Sequence, residues 1–220
     1  YKITWCVEDL VEEYVRKAKI VKDGKPVEVE ALDGLEEIEF PGVGRLEAFY
    51  TDGVRTLHHT VKGVRNMWEK TLRYPGHVEK IKLLMELGFF DESPVKLGGT
   101  SVAPRNLTTA LLERRLNIPE IGDFLAMNIE VIGTKGNDET THTYHILDKY
   151  DAKKGLTAMA RTSAYTASII VQLLAKDMVK ERGVIPPERL GMDKEIFENI
   201  TAELKKRGIN IIHGYRRRQQ

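Results

Sequence analysis

The spacing of apolar residues predicts alternating helices and strands in the first half of the chain. Apolar side chains near the start recur every three or four positions, which predicts a helix that packs on a sheet. The turn Lys22-Asp23-Gly24-Lys25 predicts a tight hairpin between residues 19–21 and 27–29, and another strand or short helix is expected after Gly53. The helical stripe consists of Val7, Leu10, Val11, Tyr14, Val15 and Ala18. Further strands are expected at about residues 36–40, 45–50 and 64–72.

Three further amphipathic helices are predicted from the same helical spacing. They cover about residues 78–88, 104–116 and 194–207. Pro104 is typical of a first helical position, and Gly208 is typical of the position after a last one. The buried face of the middle helix is expected to consist of Leu107, Ala110 and Leu111.

The longest predicted elements lie in the second half of the chain. Residues 124–132 and 140–150 predict a long antiparallel hairpin around the polar turn 135–138. Residues 157–180 predict a helix that is apolar on more than one side and therefore needs cover on several faces. We expect that helix to show an exposed apolar strip or to be covered in an oligomer. Together these elements predict an α+β fold, with a mixed, largely antiparallel sheet and helices packed on one face.

The amino-acid composition limits which binding partners and which cellular compartment are expected. The 34 basic and 33 acidic side chains nearly cancel, so nucleic acid is not an expected partner. The run Arg216-Arg217-Arg218 is interpreted as a solvated end. Cys6 is the only cysteine, which excludes an internal disulfide and favours a reducing, cytoplasmic setting. The apolar stretch 164–175 is too short to cross a membrane. Charged residues make up 30% of the chain, which favours a thermophilic source.

The turn Thr71-Leu72-Arg73-Tyr74-Pro75-Gly76-His77 is the strongest candidate for a functional site. Pro75 and Gly76 interrupt regular structure and display Arg73, Tyr74 and His77 at the edge of a scaffold, which suits recognition of a small polar substrate. His77 would begin the following helix, whose unpaired amides favour a neutral imidazole or a bound anion. The same pattern is equally typical of a strand end and a helix start with no further role.

Other polar residues are weaker candidates. Arg161 with Thr162 begins the apolar helix, where an arginine fork can bind a carboxylate or phosphate, although it is also typical of a solvated domain edge. His58 and His59 would face opposite ways in an extended segment, and so would His142 and His145. No metal site is therefore expected.

The sequence lacks a dinucleotide-binding fingerprint. Gly42-Val43-Gly44 is the nearest match, but Glu47 occupies the position of the third glycine and short β-like runs flank the segment. We interpret this segment as a turn.

An ordered set of motifs resembles the carboxyl-terminal part of the saccharopine dehydrogenase family. The resemblance runs from Tyr1 to about Ile212 and is closest to the lysine 6-dehydrogenases. The motifs that carry it are residues 1–5, 8–14, 46–53, 71–77, 159–162 and 183–188.

The resemblance implies a fold, a cofactor and a reaction. The fold would be that of a saccharopine reductase-like C-terminal domain. Residues 1–156 would form an α+β domain for substrate binding and dimerisation, and residues 157–220 a helical segment that returns to a nucleotide-binding domain. NAD or NADP would be bound mainly by that Rossmann domain, which this chain lacks, so the chain alone would be inactive. The protein would be a cytoplasmic homodimer in lysine degradation.

The implied chemistry is oxidation of the lysine ε-amine by hydride transfer to NAD. His77 or His59 would handle the proton, Arg73 or Arg161 would bind the α-carboxylate, and Tyr74 and Thr162 would assist in substrate binding. Two alternatives stay open. One is a saccharopine reductase or a carboxynorspermidine dehydrogenase-like enzyme, and the other is a non-catalytic binding or assembly module.

Overall fold

Residues 1–219, the part of the chain that the computed structural model describes, contain seven α-helices and ten β-strands. They fall into two units, Tyr1–Ile121 and Gly122–Gln220. Every strand pair formed by the described residues is antiparallel. The predicted α+β class is confirmed.

Eleven elements form the first unit. The opening helix buries one apolar stripe, as its residue spacing predicts. In chain order the elements are α1 (Val7–Val15), β1 (Ala18–Lys22), β2 (Lys25–Val29), β3 (Glu36–Phe40), β4 (Gly44–Tyr50), α2 (Leu57–Thr60), β5 (Lys70–Arg73), α3 (His77–Glu86), β6 (Val95–Leu97), β7 (Thr100–Val102) and α4 (Pro104–Leu116).

The strands of this unit form a three-stranded sheet in the order β3-β4-β5 and two separate hairpins, β1-β2 and β6-β7. The main core joins α1, β4 and α3, because Leu10, Tyr14, Phe49 and Val78 are each at most 1% exposed. Burial of each such side chain stabilises the fold by roughly 1.5–3 kcal/mol. The core therefore holds α1 and α3 against the sheet. Helix α3 begins at His77, the last residue of the candidate turn.

The second unit packs four later elements around one long hairpin. Its elements are β8 (Phe124–Lys135), β9 (Asp138–Lys149), α5 (Ala158–Ala175), α6 (Pro187–Met192), α7 (Lys194–Lys206) and β10 (Ile212–Gln219). The strands pair in the order β10-β9-β8. Ile146 of β9 joins Ile169 and Leu173 of α5 and Leu204 of α7 in the core.

Several predicted elements are confirmed with nearly the expected bounds. The first helix, the strands at 36–40 and 44–50, the helices at 104–116 and 194–206, and the long hairpin all form. The turn of the first hairpin has Asp23 at φ +49° and Gly24 at φ +78°, which a two-residue turn with positive φ at both positions requires. Gly42-Val43-Gly44 is indeed a turn, because it joins the antiparallel strands β3 and β4.

Two predicted elements in the first unit were wrong in detail. The strand expected at 64–72 covers only Lys70–Arg73, because Met67 pairs with Val21 and Arg65 accepts a hydrogen bond from the Gly24 amide. The first hairpin thus takes the backbone groups that a longer β5 would use. The buried face of α4 was also wrong, since Leu107 and Leu111 are 48% and 47% exposed. Its buried residue is Thr108, followed by the partly buried Leu112 and Leu116 at helical spacing.

The basic chain end is exposed, as a solvated end should be, but it also has regular structure. The basic run 216–218 is part of β10, which pairs with β9 from Ile212↔His145 to Gln219↔Asp138. Pairing with β10 and packing against α5 join the long hairpin to the C-terminal helices. The two compact units divide between Ile121 and Gly122, and the functional division at residues 156–157 stays a prediction. The helix α6 and the hairpin β6-β7 were not anticipated.

Helix α5 ends at Ala175, five residues before the predicted end, without a glycine to signal the stop. Asp177 has φ +55°, its amide donates to the Leu174 carbonyl, and the Met178 amide donates to the Leu173 carbonyl. This pattern is a Schellman motif with aspartate at the left-handed position. The helix leaves Val171 and Leu174 63% and 49% exposed.

The unusual residue at this left-handed position makes a stability test available. Asp177→Gly is expected to raise the free energy of unfolding by about 0.5–1 kcal/mol, because glycine adopts positive φ without a steric cost. Gly208 occupies the matching position after α7, with φ +83°. Gly208→Ala should therefore lower the free energy of unfolding by about 1 kcal/mol. Urea denaturation of both variants measures the two changes. If Asp177→Gly were less stable than wild type, the positive φ of Asp177 would not be a source of strain.

Candidate functional site

The candidate turn connects the end of β5 to the start of α3. Arg73 is the last residue of the strand, and His77 is the first residue of the helix. Gly76 precedes the helix at φ +82°, a left-handed conformation that glycine adopts readily. The Glu47 carboxylate of β4 accepts hydrogen bonds from the Gly76 amide at 2.5 Å and the Val78 amide at 3.0 Å. The helix start therefore binds an anion, as expected, but the anion is a side chain of the same unit.

His77 lies in a partly buried, largely aromatic environment. Its Nε2 atom is 3.0 Å from the Tyr14 hydroxyl, and its ring lies parallel to that of Phe49 at a centroid distance of 6.3 Å. The Tyr1 ring packs edge-on at 5.9 Å. Burial, and then the charge of Arg73, lower the pKa of His77 to about 4. The imidazole is therefore neutral at pH 7, which agrees with the sequence-based expectation.

Arg73 is held by an ion pair inside the first unit. Its Nη2 atom donates to both Glu13 carboxylate oxygens at 3.0 and 3.3 Å, and Nη1 donates to the Leu72 carbonyl. The Tyr1 ring lies 4.7 Å from the guanidinium carbon. Among the described residues, no group accepts a hydrogen bond from the buried Nε atom. This N–H group is thus both unpaired and shielded from solvent.

Glu69 and two threonines continue the polar contacts along β4 and β5. Thr51 donates to the Glu69 carboxylate at 2.5 Å and lies 2.8 Å from the Thr71 hydroxyl. Gly53 is needed beside them, because a Cβ atom at that position would come within 2.5 Å of Glu69 Oε2. Burial raises the pKa of Glu69, and burial likewise raises the pKa of Glu13 against the opposing effect of Arg73. We call the following eight residues the polar cluster: Glu13, Tyr14, Glu47, Thr51, Glu69, Thr71, Arg73 and His77.

The structure brings together two of the residues that the sequence singled out, Arg73 and His77. Sequence reasoning missed the carboxylates around them, because Glu47 lies on β4 and Glu13 lies on α1. A signal was available in the alternation of residues 69, 71 and 73 and of 47, 49 and 51, since residues two apart share one face of a strand. A polar side chain at most of these positions indicates a polar buried face. Tyr74, which follows the strand, is 53% exposed.

His59 lies in the four-residue helix α2, so the short helix, and not the strand, forms in the stretch after Gly53. Its ring packs against that of His58 at a centroid distance of 3.7 Å. Nδ1 of His58 is buried without a hydrogen-bond partner among the described residues. The role of His59 in proton transfer stays a prediction.

Arg161 and Thr162 belong to the second unit and are engaged there. Arg161 donates to both oxygens of Asp148 at 2.8 and 3.2 Å and to Asp151 at 3.0 Å. Arg161 is buried, with 6% of its surface exposed. The Thr162 hydroxyl donates to the Ala158 carbonyl within α5. The carboxylates that bind this arginine fork are thus supplied by the chain itself, and a substrate carboxylate would have to displace one of them.

Comparison with known families decides the relationship of this chain. Residues 1–209 match the family described as the saccharopine dehydrogenase C-terminal domain. The chain belongs to this family. The predicted family resemblance is therefore confirmed at this level.

A solved structure shows the same fold. Apo saccharopine dehydrogenase (L-Glu forming) from Saccharomyces cerevisiae superposes with a TM-score of 0.73 at 17% sequence identity. The match covers 98% of this chain and 62% of that protein. The saccharopine dehydrogenase C-terminal domain described here thus spans less than two thirds of the length of the protein it matches.

The described residues of this saccharopine dehydrogenase C-terminal domain form no Rossmann-type dinucleotide-binding motif. Dinucleotide folds use parallel strands and a glycine turn that leads from a strand into a helix. Residues 1–219 form only antiparallel pairs, and the Gly42–Gly44 turn leads from β3 into β4. Across residues 1–219, no group of three or more His, Cys, Asp or Glu side chains is arranged to hold a metal ion. No helix in that range is long and apolar enough to cross a membrane.

Proposed function

We propose that this domain is the substrate-binding part of an NAD(P)-dependent amino-acid oxidoreductase that oxidatively deaminates the ε-amine of lysine. The observation that carries the proposal is the polar cluster, a group of polar and ionisable side chains around the β5–α3 junction in a domain of this family. NAD(P) would be bound by a separate Rossmann domain of the full-length protein.

The reaction imposes two requirements on the substrate-binding residues. The lysine ε-ammonium must lose a proton before its carbon can give up hydride, and water then hydrolyses the resulting imine to the aldehyde and ammonia. The α-carboxylate and α-amine must also be held away from the reacting end, so one cationic and one anionic contact are needed. The polar cluster contains both kinds of group.

Arg73 is the proposed contact for the substrate carboxylate. Its Nε atom is a donor without a partner among the described residues, while Glu13 holds the rest of the guanidinium in one orientation. The atom is buried, so a substrate carboxylate would have to displace surrounding side chains to reach it, and it would then make a charge-assisted hydrogen bond in a desolvated setting. Tyr74 follows directly in the turn and is proposed to assist.

His77 is proposed to orient the substrate and to take part in proton transfer as a neutral imidazole. A pKa of about 4 makes it a weak base, so it suits a hydrogen-bonding role at neutral pH better than storage of a proton. Glu13 and Glu69, whose pKa values are raised by burial, are stronger bases within the same polar cluster. We propose that one of these carboxylates accepts the ammonium proton, with His59 as the alternative outside the polar cluster.

The balance of charge favours lysine over a larger dicarboxylic adduct. The polar cluster contains one arginine and three glutamates, Glu13, Glu47 and Glu69, and this excess of carboxylates suits a substrate with a free ammonium group. Saccharopine-like or carboxynorspermidine-like adducts carry additional carboxylates that would need additional cations. Arg161, already bound by Asp148 and Asp151, would supply one only by exchanging partners.

An oxidation assay on the full-length protein tests the proposal. NADH formation is expected with lysine, and not with saccharopine or glutamate. Arg73→Lys should raise KM, because the fork that matches a carboxylate is lost, and His77→Ala should lower kcat/KM by roughly 100-fold or more. His213→Ala, on the exposed face of β10, is the control and should leave both constants unchanged.

The substrate that gives activity distinguishes the proposed function from its alternatives. Activity with saccharopine instead of lysine would support the alternative enzyme, and inactivity with all three substrates would support a non-catalytic module. Circular dichroism of each variant separates a lost function from a lost fold.

A further inference from the structure

Two neighbouring residues of α1 hold the two residues of the candidate turn that belong to the polar cluster. The Glu13 carboxylate binds Arg73, and the Tyr14 hydroxyl lies 3.0 Å from Nε2 of His77. Tyr14 is 1% exposed and belongs to the core that joins α1 to β4 and α3. Packing of the core therefore fixes the position of this hydroxyl beside the imidazole.

The hydroxyl proton of Tyr14 needs an acceptor in a buried place. Burial raises the pKa of Tyr14, so the hydroxyl keeps its proton at neutral pH. Arg73 also interacts with this hydroxyl, but a guanidinium has donors only and cannot accept the proton. Within residues 1–219, the other hydrogen-bond contact of the hydroxyl is with Nε2 of His77. Because a buried hydroxyl without an acceptor is unfavourable, Tyr14 donates to Nε2.

This hydrogen bond determines the tautomer of His77. A neutral imidazole has one protonated nitrogen and one acceptor nitrogen. If Nε2 accepts the proton of Tyr14, the ring proton is on Nδ1. Nδ1 has no hydrogen-bond partner within residues 1–219, and it is not one of the fully buried unpaired atoms in that range. Its N–H group therefore retains access to solvent.

We propose that Tyr14 is a positioning residue, which holds His77 as the Nδ1–H tautomer so that the ring donates a hydrogen bond to an oxygen of the substrate. The proposal rests on the function proposed above in taking the polar cluster as the lysine site. Lysine with both amines protonated offers one acceptor group, its α-carboxylate. His77 thus binds the carboxylate end of lysine together with Arg73, and Glu13 or Glu69 remains the base.

Nitrogen NMR of the 220-residue chain tests the tautomer, because protonated and unprotonated ring nitrogens have distinct chemical shifts. His77→Gln assigns the signals of His77 by their loss. At neutral pH the wild-type ring should have a protonated Nδ1 and an unprotonated Nε2. Tyr14→Phe keeps the aromatic ring and removes the donor, so the ratio of the Nδ1–H to the Nε2–H tautomer should fall by roughly tenfold or more.

Tyr1→Phe is the matched control. It also removes a hydroxyl from a ring that packs against His77, but the Tyr1 hydroxyl accepts a hydrogen bond from Trp5 instead. Its tautomer ratio should equal that of wild type. A wild-type ring protonated on Nε2, or the same ratio in wild type and Tyr14→Phe, would overturn the proposal. The wild-type spectrum decides the tautomer even if Tyr14→Phe does not fold.

Kinetics of the full-length protein test the carboxylate contact. Tyr14→Phe should raise KM for lysine by roughly tenfold and change kcat by about twofold or less, because the donor acts on a group remote from the reacting carbon. A lower kcat with an unchanged KM would contradict the assignment of His77 to the carboxylate end. A full-length protein that does not oxidise lysine would refute the proposed function, whereas the tautomer is decided separately by the NMR measurement on this chain.

Discussion

Arg161→Met is expected to lower the free energy of unfolding by about 3–5 kcal/mol, the largest effect that we predict for a single substitution. Asp148 is 8% exposed and its two oxygens accept hydrogen bonds from Arg161. Removing the guanidinium leaves this carboxylate buried without its counter-charge, and breaking a buried pair from one side costs about 3–5 kcal/mol. Chemical denaturation followed by circular dichroism measures the change.

Two companion variants make the test specific. Arg217→Met removes an ion pair with Asp138 in the same unit, but its side chain is 61% exposed, so a loss of about 1 kcal/mol or less is expected. The double variant Arg161→Met with Asp148→Leu should recover part of the stability, because two apolar groups replace the pair. If Arg161→Met were no more destabilising than Arg217→Met, Arg161 would not have the structural role that its contacts indicate.

Acidification is expected to destabilise the first unit through His77. The folded-state pKa of His77 is about 4, below the ordinary value of 6.5, because burial and Arg73 disfavour the imidazolium. The unfolded chain therefore binds this proton more readily than the folded chain. The contribution of the neutral imidazole is fully present above pH 6.5 and is lost as pH falls towards 4. The full shift corresponds to about 3 kcal/mol, which partial exposure of the ring reduces to about 2 kcal/mol.

A difference measurement isolates this contribution. Wild type and His77→Gln are compared in the same denaturation series between pH 7 and pH 4, and wild type should lose about 2 kcal/mol more. The raised pKa values of Glu13 and Glu69 act in the opposite direction, since the folded state binds their protons more readily, but both groups are present in both proteins. Parallel pH profiles for the two proteins would contradict a neutral buried His77. The ring proton resonances of His77 provide an independent check, because they should stay in their neutral position at pH 5.5.

Local sequence signals predicted most of the elements but not all of their ends. The first helix, the Asp23-Gly24 turn and the long hairpin each follow from residue spacing and turn chemistry within a short window. The end of α5 was not predicted, because Asp177 occupies the left-handed position after the helix, where glycine is the usual residue. The strand β5 is shorter than its pattern indicates, since Met67 pairs with a hairpin more than forty residues earlier.

The candidate site shows the same limit. Arg73 and His77 were identified because one turn places them four residues apart. Their partners Glu13 and Glu47 come from a helix and from a neighbouring strand, and no sequence window contains all four. Arg161 was interpreted as a group that binds an external carboxylate, but the fold brings Asp148 and Asp151 to it.

By itself the sequence determined the fold class, the family and the turn that carries Arg73 and His77, because apolar spacing, turn residues and ordered motifs are properties of neighbouring positions. Tertiary structure alone decided which charges meet. Strand pairing brings Glu47 to the start of α3, and packing of α1 on the sheet brings Glu13 to Arg73 and Tyr14 to His77. Those contacts depend on backbone hydrogen bonds between distant segments, and the resulting burial sets whether each group is charged.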